Sequence, residues 1–177
     1  RGVRDARSAE LLADWGMNSV VTCDPVFSLT PPVTSPRHGS ALLVNIRPWT
    51  GGLASKTAEE SARLASSRSL SLTGFALAAE DAGIMEELRR SGVFPAERIV
   101  LLDAENWGSE CGRLFPEADG VVAMRFHASL LALLFGRPLT AVAYDPKVES
   151  LASEWSLPSW SGSGALPEPA APLGPFR

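Results

Sequence analysis

The segment from Gly120 to Lys147 constrains the fold of this chain more than any other part. It reads as an apolar strand after Gly120, a helix that stops at Gly136, and a second strand that follows Pro138. Two parallel strands need a crossover connection, which is usually a helix. Similar apolar runs alternate with helical segments along the chain. We therefore expect an α/β fold with a parallel sheet and helices on both faces.

The other predicted elements follow the same alternation. Predicted strands cover residues 2–4, 20–23, 41–46, 69–77 and 98–102, and predicted helices cover 6–15, 57–67, 80–91, 107–115 and 147–155. Residues 29–39 and 50–56 are predicted loops because they are rich in residues that favour turns. The segment after Leu157 is rich in Pro, Gly, Ser and Ala. We expect a domain over residues 1–158 and a tail over 159–177 that wraps the surface or is partly disordered.

Composition excludes several classes of function. The chain has 177 residues, which suits one domain, and a net charge of −4, which argues against general nucleic-acid binding. The longest apolar run, Ala128 to Phe135, is too short to cross a bilayer. Cys23 and Cys111 are predicted to be buried thiols rather than a disulfide. With two histidines and no Cys or His cluster, a structural zinc site is not indicated.

The strongest local signal is Arg125-Phe126-His127, where a strand ends and a helix begins. Ligands of parallel sheets bind beyond the carboxyl ends of the strands. A helix N-terminus attracts anions, so Arg125 and His127 predict a phosphate or carboxylate site with a titratable group beside it. The plainer alternative is that Arg125 forms a salt bridge and His127 caps the helix. Polar residues that follow predicted strands are Asp5, Asp24, Arg47, Asp103, Arg125, His127, Tyr144 and Asp145.

Arg47 and Trp49 form a second signal, directly after the apolar segment ALLVNI. A charged residue in that place is either a surface residue or a ligand clamp. Trp49 could stack on a sugar or cover a site, although a single tryptophan is more often part of the packing.

Near the end of the chain, Asp145 is predicted to cap the last helix, with Pro146 at its first position. Lys147 then falls in the first turn, where the helix dipole disfavours a cation. A broken local rule suggests a role with an anionic ligand. Asp5 beside Arg4 is predicted to be an N-cap with solvated charges. Glu80 and Asp81, by contrast, belong to a predicted solvated helix face.

Four segments together resemble the polysaccharide pyruvyl transferases, in particular the bacterial CsaB-like branch. The R-x-H motif at Arg125 to His127 with Y-D-P-K at Tyr144 to Lys147 is the most specific part, and V-R-D-x-x-S near the start is the second. The resemblance extends to about Pro158, and residues 50–118 carry little of it. The segments are VRDARSAELLADWG, VVTCDPVF, LLVNIRPW and GVVAMRFHASLLALLFGRPLTAVAYDPKVESLASEWSLP.

The resemblance implies two Rossmann-like domains arranged as in a GT-B-type fold, with this chain as the C-terminal half. The active site would then lie between it and the N-terminal domain of the same protein. The implied donor is phosphoenolpyruvate (PEP), with no other cofactor. The implied acceptor is a lipid-linked or polymeric sugar of the cell wall, typically N-acetylmannosamine, whose pyruvate ketal helps to anchor surface-layer proteins. A cytoplasmic location, in solution or at the inner face of the membrane, and inactivity of the isolated domain are also expected.

The same resemblance assigns roles to individual residues. It implies that His127 is the catalytic acid and that Arg125 binds the phosphate or carboxylate of PEP. Arg47, Lys147 and Arg4 are further candidates for binding these anions, since a donor with two anionic groups needs several cations. No metal is demanded by this chemistry.

Two other functions remain open from the sequence. A GT-B glycosyltransferase domain would share the scaffold and bind a nucleotide sugar, with Asp145 or Glu149 contacting the ribose. A non-catalytic sugar-binding or assembly module is the other alternative. The presence of Arg125, His127 and Lys147 favours an enzyme over that module.

Overall fold

The computed structural model describes residues 1–3, 6–29 and 39–172. The chain forms two compact units, Arg1–Thr30 and Pro31–Arg177. The small unit contains two parallel strands, β1 (Gly2–Val3) and β2 (Val20–Val21), connected through helix α1 (Ala6–Asp14). A 3-10 turn at Pro25–Ser28 follows and is capped by the Asp24 side chain.

The large unit is a six-stranded sheet in the order β5-β4-β3-β6-β7-β8, and each neighbouring pair is parallel. Its strands are β3 (Ala41–Asn45), β4 (Ser71–Ala76), β5 (Arg98–Leu101), β6 (Ala118–Ala123), β7 (Leu139–Val142) and β8 (Ser159–Trp160). Its helices are α2 (Leu53–Ser67), α3 (Ala79–Arg90), α4 (Trp107–Leu114), α5 (Phe126–Leu134) and α6 (Pro146–Glu154). This α/β, Rossmann-like architecture confirms the predicted fold class.

Apolar side chains cover both faces of the sheet, and they are buried against the helices. All five residues of β3 are buried. Because side chains alternate along a strand, Leu42 and Val44 face one core, which α2 and α3 complete. Phe75 of β4 points to the opposite face, where its ring meets Phe115 edge-on, and Phe115 stacks on Phe135. Burial on both faces explains why the strands read as apolar runs.

The strand order places a topological switch point between β3 and β6. From β3 the chain moves to β4 and β5 on one side of the sheet, and then returns to β6 on the other side. The connections on the two sides diverge there, which leaves a crevice beyond the carboxyl ends of β3 and β6. Ligands of open α/β sheets bind in such a crevice.

Two segments that were predicted to be irregular contain regular secondary structure. The segment after Pro158, which we expected to be a surface tail, supplies β8, and Trp160 and Leu166 join the buried core. The predicted loop at residues 50–56 is a 3-10 turn at Thr50–Gly52 followed by the first turn of α2. Most of the predicted linker, residues 30–38, lies outside the described residues.

The two cysteines are both free, and they differ in exposure. Cys111 on α4 is buried, as predicted, and burial raises the pKa of its thiol to about 12. Cys23 is exposed, so the prediction was wrong for that residue. Across the described part of the chain, helices are either too short or too polar to cross a membrane.

Candidate functional site

Four of the five predicted site residues lie beyond the carboxyl ends of three adjacent strands. Arg47 follows β3, Arg125 and His127 follow β6, and Lys147 follows β7. Because these strands are parallel neighbours, all four residues belong to the same edge of the sheet. The fifth, Arg4, lies outside the described residues, as does Asp5.

Arg125 is held by two carboxylates of α3. Its Nε and Nη2 atoms donate to the two carboxylate oxygens of Asp81 at 2.5 and 2.6 Å, and Nη2 also donates to Glu80 at 2.8 Å. The hydrogen bonds to Asp81 raise the pKa of Arg125, and its side chain is 22% exposed. The salt bridge that was the plainer alternative for Arg125 is therefore present.

Asp81 is fully buried, so the prediction that it belongs to a solvated helix face was wrong. The reason is its place in the first turn of α3, where its side chain points back towards the sheet. There it also accepts the backbone N–H of Leu77 at 3.4 Å. A buried carboxylate requires a cationic partner, and Arg125 supplies it.

Asn45 joins the neighbouring strands beneath Arg125. Its amide oxygen accepts the backbone N–H of Arg125 at 2.9 Å, and its amide nitrogen donates to the carbonyl of Phe75 at 3.0 Å. Asn45 is fully buried, and both hydrogen bonds link separate strand ends. Sequence reasoning missed this residue, although a polar residue inside the apolar segment ALLVNI was a usable signal.

Arg47 packs against two aromatic rings. Its guanidinium carbon lies 5.3 Å from the ring centre of Trp49 and 5.6 Å from that of Tyr144, and Nη1 donates to the Tyr144 hydroxyl at 3.1 Å. The two rings contact each other, with centres 4.3 Å apart. The Nε atom of Arg47 is buried without a hydrogen-bond partner. Among the described residues, no carboxylate oxygen lies within salt-bridge distance of Arg47.

Electrostatics connects Arg47 and Arg125. The pKa of Glu80 lies below its ordinary value. The backbone hydrogen bond at Glu80 is the largest cause, and the hydrogen bond from Arg125 comes next. The charge of Arg47 lowers the pKa of Glu80 further, by a smaller amount. Both guanidinium groups therefore act on one carboxylate at this edge of the sheet.

His127 and Lys147 are exposed and occupy equivalent positions, each the second residue of a helix. Asp145 caps α6 by accepting the backbone N–H of Lys147 at 2.7 Å, with Pro146 at the first helical position, as predicted. By contrast, no side-chain cap bond closes the start of α5. The dipole of α5 therefore favours an anion near its start, beside His127.

A cleft of about 260 Å³ opens on the other side of the aromatic pair. Trp49 and Tyr144 line it, together with Thr50 of the 3-10 turn, Lys56 of the first turn of α2, and Ser161 and Gly162 after β8. Lys56 reaches the carbonyl of Gly162 at 3.5 Å. Arg47, Arg125, His127 and Lys147 do not line this cleft. The edge of the sheet thus carries several cationic residues and a separate cleft. Trp49 and Tyr144 line the cleft and also contact the guanidinium of Arg47.

This arrangement suits a small anion with an ionisable group near it. Arg47 offers fork-shaped donors that match a carboxylate or phosphate, and the start of α5 offers backbone N–H groups. His127 adds an imidazole at this edge, the side chain that most often serves as a general acid or base.

Comparison with known proteins gives one family match. A family model described as polysaccharide pyruvyl transferase matches residues 1–146. The matched residues include the strand ends that carry Arg47, Arg125 and His127, and they stop one residue before Lys147. No curated protein matches the chain.

Proposed function

The chain belongs to the polysaccharide pyruvyl transferase family, and we propose that it takes the pyruvyl group from phosphoenolpyruvate. In this proposal the acceptor is a cell-wall sugar of the N-acetylmannosamine type, and the product is a cyclic pyruvate ketal. The family supports a transferase of this class. The donor, the acceptor and membership of the CsaB-like branch are parts of the proposal.

The observation that carries the proposal is that Arg47 has no salt-bridge partner among the described residues. A buried or half-buried guanidinium is costly unless an anion pairs with it, and here the described residues provide only a phenol and two aromatic faces. Arg47 also lies at the topological switch point, where ligands bind. A carboxylate or phosphate of PEP would supply the missing partner.

In this proposal the other candidate residues contribute to the donor site to different extents. Arg125 keeps one guanidinium nitrogen, Nη1, outside its bonds to Asp81 and Glu80, so it can contact a ligand while α3 holds it in place. Lys147 adds a flexible charge from the start of α6. Arg4 stays a proposed contributor.

The chemistry requires a proton at the methylene carbon of PEP. His127 in its protonated form would donate that proton, and C2 would then accept electrons from one sugar hydroxyl. A second hydroxyl of the same sugar attacks C2 as phosphate leaves with the bridging oxygen, which closes the ketal. Of the two hydroxyl protons released, one returns to His127 and one leaves with the phosphate or solvent. The charges of Arg47 and Arg125 stabilise the departing phosphate.

We further propose that the reaction takes place in the cytoplasm, in solution or at the inner face of the membrane. The acceptor would be presented there as a lipid-linked or polymeric sugar. Catalysis would need the N-terminal domain of the same protein in a GT-B-type arrangement. This chain alone would then bind the donor without turning it over.

Calorimetric titration of PEP into this chain tests the donor site. We expect saturable binding that Arg47→Ala weakens about tenfold or more, since one charge-assisted contact contributes at least about 1.4 kcal/mol. Arg90→Ala removes an exposed arginine from the end of α3 and should leave the affinity unchanged. Binding of a UDP-sugar without binding of PEP would instead favour the glycosyltransferase alternative. Equal PEP affinity in the Arg47→Ala variant would exclude Arg47 from the site.

A further inference from the structure

The cleft beside Trp49 is not explained by donor binding. It lies between the start of α2 and the segment after β8, and Lys56 is the one cationic side chain on its lining. PEP carries a phosphate and a carboxylate, whereas Arg47, Arg125 and Lys147 all lie outside this lining. The cleft therefore has the wrong charge for the donor and calls for a more neutral ligand.

We propose that this cleft binds one pyranose ring of the acceptor sugar, stacked on Trp49. The inference rests on the proposed function, because it assigns a location to the second substrate of that reaction. It goes beyond that function by naming the residues that select a sugar ring.

The aromatic side of the cleft is both exposed and fixed. Trp49 is 43% exposed, so part of its ring is accessible to a ligand. Behind it, Tyr144 packs against the Trp49 ring, and Arg47 holds Tyr144 through its hydroxyl. A pyranose has one face of C–H groups that can lie on such a ring, with a gain from burying apolar surface.

The rest of the lining carries polar groups for the ring hydroxyls. Thr50 and Ser161 offer hydroxyls, which donate and accept, and Lys56 offers an ammonium donor. The accessible lining of the cleft is mostly polar, and the two aromatic rings are part of its apolar portion, which suits a ligand rich in hydroxyl groups. The volume of about 260 Å³ is below the roughly 300 Å³ at which sites for drug-sized ligands begin, which suits one sugar ring.

The position of the cleft also fits group transfer. Trp49 and Tyr144 line the cleft on one side and contact the guanidinium of Arg47 on the other. A sugar on Trp49 would thus lie near an anion on Arg47, with the two aromatic rings between them at the base of the cleft. Group transfer then requires the sugar hydroxyls to reach the donor past the edge of these rings.

The test uses the methyl glycoside of N-acetylmannosamine, followed by saturation-transfer NMR and tryptophan fluorescence. We expect saturable binding of the glycoside to this chain, with the strongest transfer to the C–H protons of one ring face. Trp49→Ala should weaken binding at least about tenfold. Trp107→Ala removes a tryptophan of similar exposure, 37%, from the start of α4 and should bind as the parent does.

A second measurement separates the inference from the proposed function. PEP at saturating concentration should leave the glycoside bound, and Trp49→Ala should still bind PEP. Displacement of the glycoside by PEP, together with loss of PEP binding in Lys56→Gln, would make the cleft the donor site and overturn the inference. Binding of PEP without any binding of the glycoside would also overturn it, while the proposed function would stand. If Trp49→Ala misfolds by circular dichroism, Lys56→Gln should weaken glycoside binding instead, and unchanged binding there would again contradict the inference.

Discussion

Two strand-to-helix junctions at the same edge of the sheet place an arginine in different ways. At the end of β6, Arg125 donates to both oxygens of buried Asp81 and to Glu80. At the end of β3, Arg47 leans on two aromatic rings, and Nη1 donates only to a phenol. The first arginine is neutralised within the protein, whereas the second keeps its charge available.

The difference shows that an arginine after a strand is not by itself an anion site. Arg125 has the stronger sequence motif, yet most of its hydrogen-bonding capacity is used to fix the start of α5. Arg47 has the weaker motif, yet it has the chemistry that a ligand would complete. We therefore expect Arg125 to orient the site and Arg47 to contribute more of the donor affinity.

The largest expected effect comes from the buried pair at the end of β6. Asp81→Asn leaves the Arg125 guanidinium without its bidentate partner and should lower the free energy of unfolding by about 3 kcal/mol, which is at the lower end for buried pairs because Arg125 is partly exposed. The midpoint of urea unfolding measures this loss. Glu87→Ala, an exposed position on the same helix, is the matched control and should change little. If Asp81→Asn unfolded at the same urea midpoint as Glu87→Ala, the pair of Asp81 with Arg125 would not stabilise the fold.

A smaller effect tests the backbone at the end of β3. Gly52 caps α2 with φ +72°, a conformation that costs alanine about 1 kcal/mol, and an added methyl group would meet open space. Gly52→Ala should thus lower the free energy of unfolding through strain alone. Gly83→Ala, inside α3 with similarly open space, should raise it by about 0.5–1 kcal/mol because alanine is the better helix former. The same sign in urea unfolding of both variants would contradict the backbone account of this junction.

The sequence predicted the regular elements of the large unit well, for a physical reason. Buried strands such as β3 read as apolar runs, and some helices end at a glycine, such as Gly136 after α5, or begin at a cap, such as Asp145 before α6, so these elements leave local signals. β8 was missed because it has only two residues and lies in a segment rich in Pro and Gly. Its pairing with β7 is a long-range contact that composition does not reveal.

The sequence predicted which strand ends carry the candidate site residues, but not which side chains pair with each other there. The rule for parallel sheets brought Arg47, Arg125 and His127 together without any side-chain information, and the helix-dipole argument added Lys147. That Arg125 would meet Asp81, 44 residues away, depends on how α3 packs on the sheet. The cleft beside Trp49 was missed because two of its sides come from segments that were predicted to be a loop and a tail.

The smallest expected effect concerns Glu80, the exposed partner of Arg125. Its side chain is 60% exposed, so solvent and salt screen its attraction to the guanidinium, and Glu80→Gln should cost much less stability than Asp81→Asn. The pKa of Glu80 is lowered in the folded state, by its backbone hydrogen bond first and by Arg125 next. Its contribution is therefore present above its ordinary pKa of 4.5 and is lost as the pH falls through the lowered value.

Urea unfolding at pH 7 and at pH 3 measures this contribution. We expect a small difference between the parent chain and Glu80→Gln at pH 7, and a smaller difference at pH 3, which lies below the ordinary pKa of 4.5. A loss at pH 7 as large as that of Asp81→Asn would mean that Glu80 and Asp81 hold Arg125 equally. Arg125 would then be held from the exposed side as well, so its Nη1 atom would be less able to turn towards a ligand. Arg47 would in that case contribute a still larger share of donor binding.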